Sequence, residues 1–260
     1  MNITALFSIK GGVGRTLLAA HLAESLTRRG LRVLVLELDP QNTLGHWFGM
    51  DPEIRFGLCR LQSNARELAQ YGQRHATNVQ FVPYGSESVR DLLYMENTVS
   101  GRSDWLATRL NALEAENYDL VILDVAAGTG PMTRAAIQQA DLVINVMQAN
   151  SSCYATLPLF MQLQSELNLH NVVHVVNRYN GRNELQREIY KHLENQLGNT
   201  LLGAAVTEDT SADTALASQQ TLFLHHPQSP ILRSIELLAS QVASGLVSQH
   251  QADPQPVAQH

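Results

Sequence analysis

The sequence predicts an α/β fold, a mostly parallel, twisted sheet with helices on both faces. Two features of the whole chain point there. Strand-length apolar runs alternate with stretches of helical periodicity, and the runs are near-continuously apolar, as in strands covered on both faces. A third observation is local. The stretch "FSIKGGVGRT" (Phe7–Thr16) puts three glycines directly between the first apolar run and the first helical pattern. Sheets of this class bind ligands beyond the carboxyl ends of their strands, so that is where a site is expected.

The elements follow in order. "ITALFS" (Ile3–Ser8) reads as the first strand. Thr16–Arg29 reads as a helix, with Leu18, Leu22 and Leu26 on one face. "RVLVLEL" (Arg32–Leu38) and the shorter "VQFVP" (Val79–Pro83) are the next strands. "DLVILDV" (Asp119–Val125), "DLVINVM" (Asp141–Met147) and "NVVHVVN" (Asn171–Asn177) are three more, and "LLGAAV" (Leu201–Val206) is expected as a seventh. Helices are expected over Ser86–Tyr94, Asp104–Glu116, Pro131–Gln139, Ser152–Leu167, Asn183–Leu197 and Pro230–Ser248. Residues 43–76, with Trp47, Phe48 and Phe56, are the least regular part and read as a variable lid. Residues 1–250 are expected as one domain, and 251–260 as a disordered polar tail.

Composition sets limits. Hydrophobic residues make up 44% and charged residues 16%, which fits a globular chain with a large core. A net charge of −6 argues against a broad polyanion-binding face, so DNA is not the expected partner. Cys59 and Cys153 lie far apart, giving neither a zinc spacing nor a disulfide framework, so a reducing cytosol is expected. No run is long and apolar enough to cross a bilayer. His170 and His174 have H-x-x-x-H spacing but fall on a strand, which would not bring both rings to one metal. The polar face of the last helix carries a single basic residue, Arg233, so packing against the sheet is expected there, not membrane insertion. Arg178, Arg182, Arg187 and Lys191 read as a solvated basic face.

The glycine stretch differs from the phosphate-loop pattern G-x-x-x-x-G-K-[ST] in one letter, with Arg15 at the lysine position. Glycines let a backbone approach phosphates, and successive N–H groups at a helix start favour negative charge. Thr16 offers a hydroxyl to magnesium. Only Lys10 and Lys191 are lysines, so Lys10 stands against a strong bias toward arginine. Asp39 ends the second strand in "LELDPQNTLG". Asp-Pro alone reads as a turn, but beside a phosphate loop a carboxylate there can orient a water. Asp124 follows four apolar residues in "LVILDVAAGTG", where a carboxylate holds magnesium.

"KGGVGRT", "LELDPQN" and "LDVAAG" together resemble the deviant Walker motifs of the MinD/ParA ATPases. The likeness covers essentially residues 1–250 and implies a P-loop NTPase fold with ATP and Mg2+ as ligands. It also implies a homodimer that sandwiches ATP, with Lys10 reaching the partner's phosphates. Gly11, Gly12, Val13, Gly14, Arg15 and Thr16 would cradle phosphate, and Thr16 and Asp124 would hold the metal. Asp39 would orient water, with Glu37 standing where the family has an aspartate. Gly128 would sense the γ-phosphate. Asn177 and Arg178 in "VVNRYNGR" and Glu208 in "AVTEDTSADTALASQQ" would flank the base, although a loop-capping asparagine fits the same chemistry, and Thr207 replaces the usual proline. Arg15 keeps the charge of the usual lysine but is longer, planar and forked, so slow hydrolysis is implied.

Within that family, "FVPYGSES", "INVMQANSSCYATL" and "ILRSIELLA" are similar to the MinD-like BcsQ group of bacterial cellulose secretion operons. The implied partners are cytoplasmic components of a cellulose secretion complex, recruiting the protein to the inner membrane or a cell pole. Two other readings stay open, a non-hydrolysing scaffold and a DNA-partitioning ATPase.

Overall fold

The computed structural model describes residues 1–51, 53–54, 57–60, 77–85, 88–102, 104–203 and 205–252. The chain runs β1 (Asn2–Phe7), α1 (Arg15–Arg28), β2 (Val33–Leu38), α2 (Leu44–Trp47), β3 (Gln80–Val82), α3 (Val89–Gly101) and α4 (Trp105–Ala112). It continues through β4 (Leu120–Val125), α5 (Pro131–Gln139), β5 (Leu142–Met147), α6 (Ser151–Tyr154), α7 (Leu157–Glu166) and β6 (Val172–Val176). It closes with α8 (Glu184–Leu197), α9 (Ser211–Ala217), α10 (Leu222–His225) and α11 (Pro230–Ala252).

The strands form one sheet in the order β3-β2-β4-β1-β5-β6, every pair parallel. This is the expected architecture. β1 is central. The chain leaves it toward β2 and β3, returns to fill the gap with β4, then crosses to β5 and β6. That reversal opens a crevice at the carboxyl end of β1, where the glycine loop lies. The strands are apolar because they are covered: β2 and β4 are buried along their whole lengths. Helix α1 contributes Leu18, Leu22 and Leu26 to the core, all at 0% exposure.

The structure corrects several sequence expectations. Leu201–Val206 is not a strand. Leu202 N–H bonds the His174 carbonyl and Val206 N–H the Val176 carbonyl, so four residues advance against two and the ladder loses register. Only isolated bridges remain, at Leu201 and Thr207. The helix expected over Ser152–Leu167 breaks into α6 and α7, because Pro158 has no N–H to give Tyr154. Helix α3 starts later and runs longer than expected. The Ser88 hydroxyl caps it through Asp91 N–H, and buried Met95 and Val99 carry it on. Helix α4 stops at Ala112, and Glu114 takes a φ of 50° before a short 3-10 turn.

Trp47 and Phe48 belong to the core and not to a lid. Trp47 meets His21 edge-on at 4.7 Å and Phe48 stacks on Phe81 at 5.1 Å. Residues 61–76 of that stretch, Phe56, and 253–260 of the tail lie outside the described residues. Helix α11 packs along α1, which already covers the sheet there, and buries Ile231, Ile235, Leu238 and Val242. The Arg29 guanidinium ties the two helices, donating to the Glu236 carbonyl at 2.8 Å and to Ser240 Oγ at 2.9 Å. No described helix is long and apolar enough to cross a membrane.

Candidate functional site

The glycine loop turns from β1 into α1 through two left-handed residues, Gly12 (φ 74°) and Gly14 (φ 93°). Gly14 is the N-cap of α1 and supplies no side-chain cap. Other helices of the chain are capped: Asn150 accepts from Cys153 N–H at 2.9 Å, and Asn183 from Gln186 N–H at 3.2 Å. None of the loop N–H groups from Gly11 to Arg15 donates to a described residue. The loop carbonyls are occupied, by contrast. Gln148 Nε2 donates to the Gly12 carbonyl at 3.3 Å and Asn177 Nδ2 to the Val13 carbonyl at 2.8 Å. Donors without acceptors at the start of a 14-residue helix make a site for an anion.

The carboxylates stand on the neighbouring strands. Asp124 on β4 is at 0% exposure, and neither of its oxygens has a hydrogen-bond partner among the described residues. Burial pushes its carboxyl up to about 7, while nearby Thr16 and Arg15 pull it down and Asp39 adds to the rise. An orphaned buried carboxylate beside a threonine hydroxyl suits a hydrated divalent cation, so the residues present fit magnesium. Glu37 on β2 is in register with Asp124. It is fully buried, and its Oε1 accepts from Leu44 N–H at 2.6 Å. Burial, with Asp124 alongside, holds its carboxyl well above the usual range, and the Leu44 N–H offsets part of that rise.

Arg15 lies across this cluster. Its guanidinium is buried, donating to Ser8 Oγ with one nitrogen and to Asp39 Oδ2 with the other, the latter at 3.3 Å. Asp39 Oδ1 in turn accepts from Gln41 N–H at 3.0 Å. The ammonium of half-buried Lys10 meets no acceptor among the described residues. Gly128 takes a φ of 87°, and its N–H donates to the Ser8 carbonyl at 3.0 Å.

The structure therefore brings Lys10, Gly11, Gly12, Val13, Gly14, Arg15, Thr16, Asp39, Asp124 and Gly128 to one strand-end crevice. Asn177 is also there, but beneath the loop. It is 1% exposed, its Nδ2 is spent on Val13, and only Oδ1 lacks a partner. Arg178 and Glu208 are exposed, joined through Tyr179, whose carbonyl accepts Glu208 N–H at 3.1 Å. Asp209 beside them has both oxygens engaged, with Ser211 N–H at 2.9 Å and Ser229 Oγ at 2.5 Å, and pins the start of α11. His174 is core, with Nδ1 3.1 Å from Asn145 Nδ2, and His170 is exposed, as its strand-end position implied. Ser8 was missed by sequence reasoning. Its signal was a lone hydroxyl at the end of an apolar strand, two residues before Lys10.

A central parallel strand that feeds a glycine turn into an uncapped helix, with a buried carboxylate on the next strand, is the arrangement of the P-loop NTPases, here of the MinD/ParA type. MinD from Aquifex aeolicus has the same fold, with a TM-score of 0.75 over 100% of both chains at 16% identity. MinD from Pyrococcus horikoshii, solved with Mg-ADP, gives 0.69 at 20% identity over 93% of this chain and 95% of its own. The family model described as "Cellulose biosynthesis protein BcsQ" matches residues 1–242, and the chain belongs to that family. The BcsQ of Salmonella typhimurium is 25% identical over 92% of this chain and 93% of its own length. The chromosome-partitioning ATPase Soj of Thermus thermophilus is 29% identical over 92% and 94%. A longer relative from Rhizobium rhizogenes, 24% identical, is matched over 61% of its length, so this chain spans less than two-thirds of it.

Proposed function

We propose that the protein is an ATP-binding, dimerising switch that serves bacterial cellulose synthesis. The observation that carries the nucleotide reading is the orphaned Asp124 carboxylate facing Thr16 at the mouth of an uncapped helix. An anion and a cation bound together complete both. Magnesium would sit at Thr16 and Asp124, supplying charge to the phosphates when bound. The Gly11–Arg15 N–H groups would hold the phosphates. Asp39 would orient water once its bond to Arg15 is released. Lys10, without a partner among the described residues, would reach phosphates held by a second subunit. Asn177 Oδ1 could accept from a base amino group, with Arg178 and Glu208 at the rim. The cellulose role rests on the family's name and on the similar BcsQ proteins. Its partners would be cytoplasmic components of the secretion complex, recruiting the protein to the inner membrane or a cell pole.

The buried Arg15–Asp39 pair favours a second reading, a scaffold that holds ATP without hydrolysing it. Both readings are tested by titrating the protein with ATP and Mg2+ while following bound nucleotide, mass and released phosphate. A dimer formed on ATP and abolished by Lys10→Ala supports the switch. Binding without phosphate release supports the scaffold. Absence of binding refutes both. Salt-sensitive, ATP-dependent binding to arbitrary duplex DNA would instead favour a partition role like that of Soj.

A further inference from the structure

We infer that Arg15 is a latch on Asp39, that Ser8 is the positioning residue which holds it shut, and that bound triphosphate opens it. The inference rests on the nucleotide reading above. It starts from the arginine itself. A lysine ammonium at this position is a point charge, whereas a guanidinium offers a planar fork that can engage two acceptors at once. Here it does so, with Ser8 Oγ on one side and Asp39 Oδ2 on the other. All three residues are buried, at 1% for Ser8, 7% for Arg15 and 6% for Asp39, so water does not compete freely for the fork.

Ser8 is suited to hold the latch. Its hydroxyl donates to the Lys10 carbonyl at 2.6 Å, which leaves an oxygen lone pair aimed at Arg15. Its own carbonyl takes Gly128 N–H at 3.0 Å. One residue therefore fixes the loop cation by its side chain and the turn after β4 by its backbone.

The consequence follows from counting acceptors. A nucleotide triphosphate entering the loop competes for the same guanidinium with Ser8 and Asp39. While Arg15 stays on Asp39, that carboxylate has one oxygen on Arg15 and the other on Gln41 N–H, so a water would have to share each oxygen with a donor already in place. When phosphate draws the fork away, Asp39 Oδ2 is released. Binding and readiness for hydrolysis are then coupled through a single side chain, and affinity is lowered by the work of opening.

This gives a signature with an unusual sign. Ser8→Ala, by removing one of the two holds, should bind Mg·ATP more tightly than the unaltered chain, by roughly the tenfold that a charge-assisted hydrogen bond is worth. Asp39→Asn should also tighten binding and should abolish phosphate release. The cycle is closed in an Arg15→Ala background. There Ser8→Ala should change affinity by less than about twofold, well under a single interaction, and Asp39→Asn should show only the general benefit of losing a negative charge.

The experiment is a titration of these full-length variants with a fluorescent ATP analogue and Mg2+, with circular dichroism as the check on folding. Tighter binding by Ser8→Ala that disappears without Arg15 supports the latch. Weaker or unchanged binding by Ser8→Ala sinks it and leaves the nucleotide reading intact. If Ser8→Ala does not fold, the Asp39→Asn pair in the two backgrounds decides, since equal tightening in both overturns the latch. If no protein, altered or not, binds nucleotide, the nucleotide reading itself falls and takes the latch with it.

Discussion

Replacing Gly14 by alanine tests how the loop is built. The residue has φ 93° and ψ 27°, so an L side chain there carries the left-handed penalty of about 1–2 kcal/mol. Space adds a second cost. A Cβ at Gly14 would collide with Asn177 Nδ2, the group that donates to the Val13 carbonyl at 2.8 Å. Moving that amide loses a buried hydrogen bond of about 1 kcal/mol. The sum is roughly 2–3 kcal/mol, which for a chain of this length lowers the melting temperature by roughly 5–10 °C. Gly12 is the internal control. Its φ is 74°, but nothing lies within 4 Å of a Cβ there, so Gly12→Ala should cost only the backbone part. Differential scanning calorimetry on the nucleotide-free proteins separates the two. In the double variant Gly14→Ala/Asn177→Ala the collision is gone, so the double should be less destabilised than the sum of its parts. Equal melting temperatures for Gly12→Ala and Gly14→Ala would refute the argument that Asn177 braces the loop from below.

Three further outcomes are expected. His21 is buried and neutral, with Nδ1 2.7 Å from the Leu17 carbonyl and Nε2 accepting Leu222 N–H at 2.9 Å, and burial pulls its pKa from 6.5 to about 4. A lowered folded pKa means the unfolded chain binds more protons. The stabilisation is therefore full above pH 6.5 and is lost as pH falls toward 4, about 3 kcal/mol in all. Urea melts across that window should flatten in His21→Gln, and an unchanged acid limb counts against the assignment. Leu238→Ala on α11, at 0% exposure, should cost about 2–5 kcal/mol in the same assay, whereas Leu237→Ala at 59% should stay within about 0.5. Finally, Asp124→Asn should raise the melting temperature of the nucleotide-free protein, by removing a buried carboxylate with no hydrogen-bond partner among the described residues, and should remove the magnesium dependence of ATP binding. A stability loss with magnesium dependence retained would mean that Asp124 is a structural acid.

Much of the fold was legible because periodicity is local. The six strands of the sheet lie in near-continuous apolar runs, as strands covered on both faces do. What could not be read is tertiary. Leu201–Val206 has a strand's composition, but whether it pairs depends on keeping step with β6, and the two extra residues against His174 and Val176 are invisible in one segment alone. Trp47 and Phe48 looked like lid residues because their partners, His21 and Phe81, are distant in sequence. The site behaved likewise. Gly12, Gly14 and Thr16 were findable because they follow a strand, and Asp124 because it interrupts an apolar one near its end. Ser8 was harder to find, because apart from the nearby Lys10 carbonyl its partners, Arg15 and Gly128, lie beyond its own strand.

The arrangement of charge explains why these features belong together. Asp39, Asp124 and Glu37 crowd one strand-end crevice, and a single guanidinium faces them. Burial and Asp124 raise the Glu37 carboxyl, and the Leu44 N–H gives its Oε1 a donor. Asp39 escapes through Arg15. Asp124 is raised by burial, and neither of its oxygens has a hydrogen-bond partner among the described residues. On the other side of the crevice the start of α1 has donors and no acceptor. Under the proposed nucleotide reading, a magnesium ion would answer the first deficit and a phosphate chain the second, and each without the other would leave one of them open. On that reading, a nucleotide with its cation should raise the melting temperature more than either does alone.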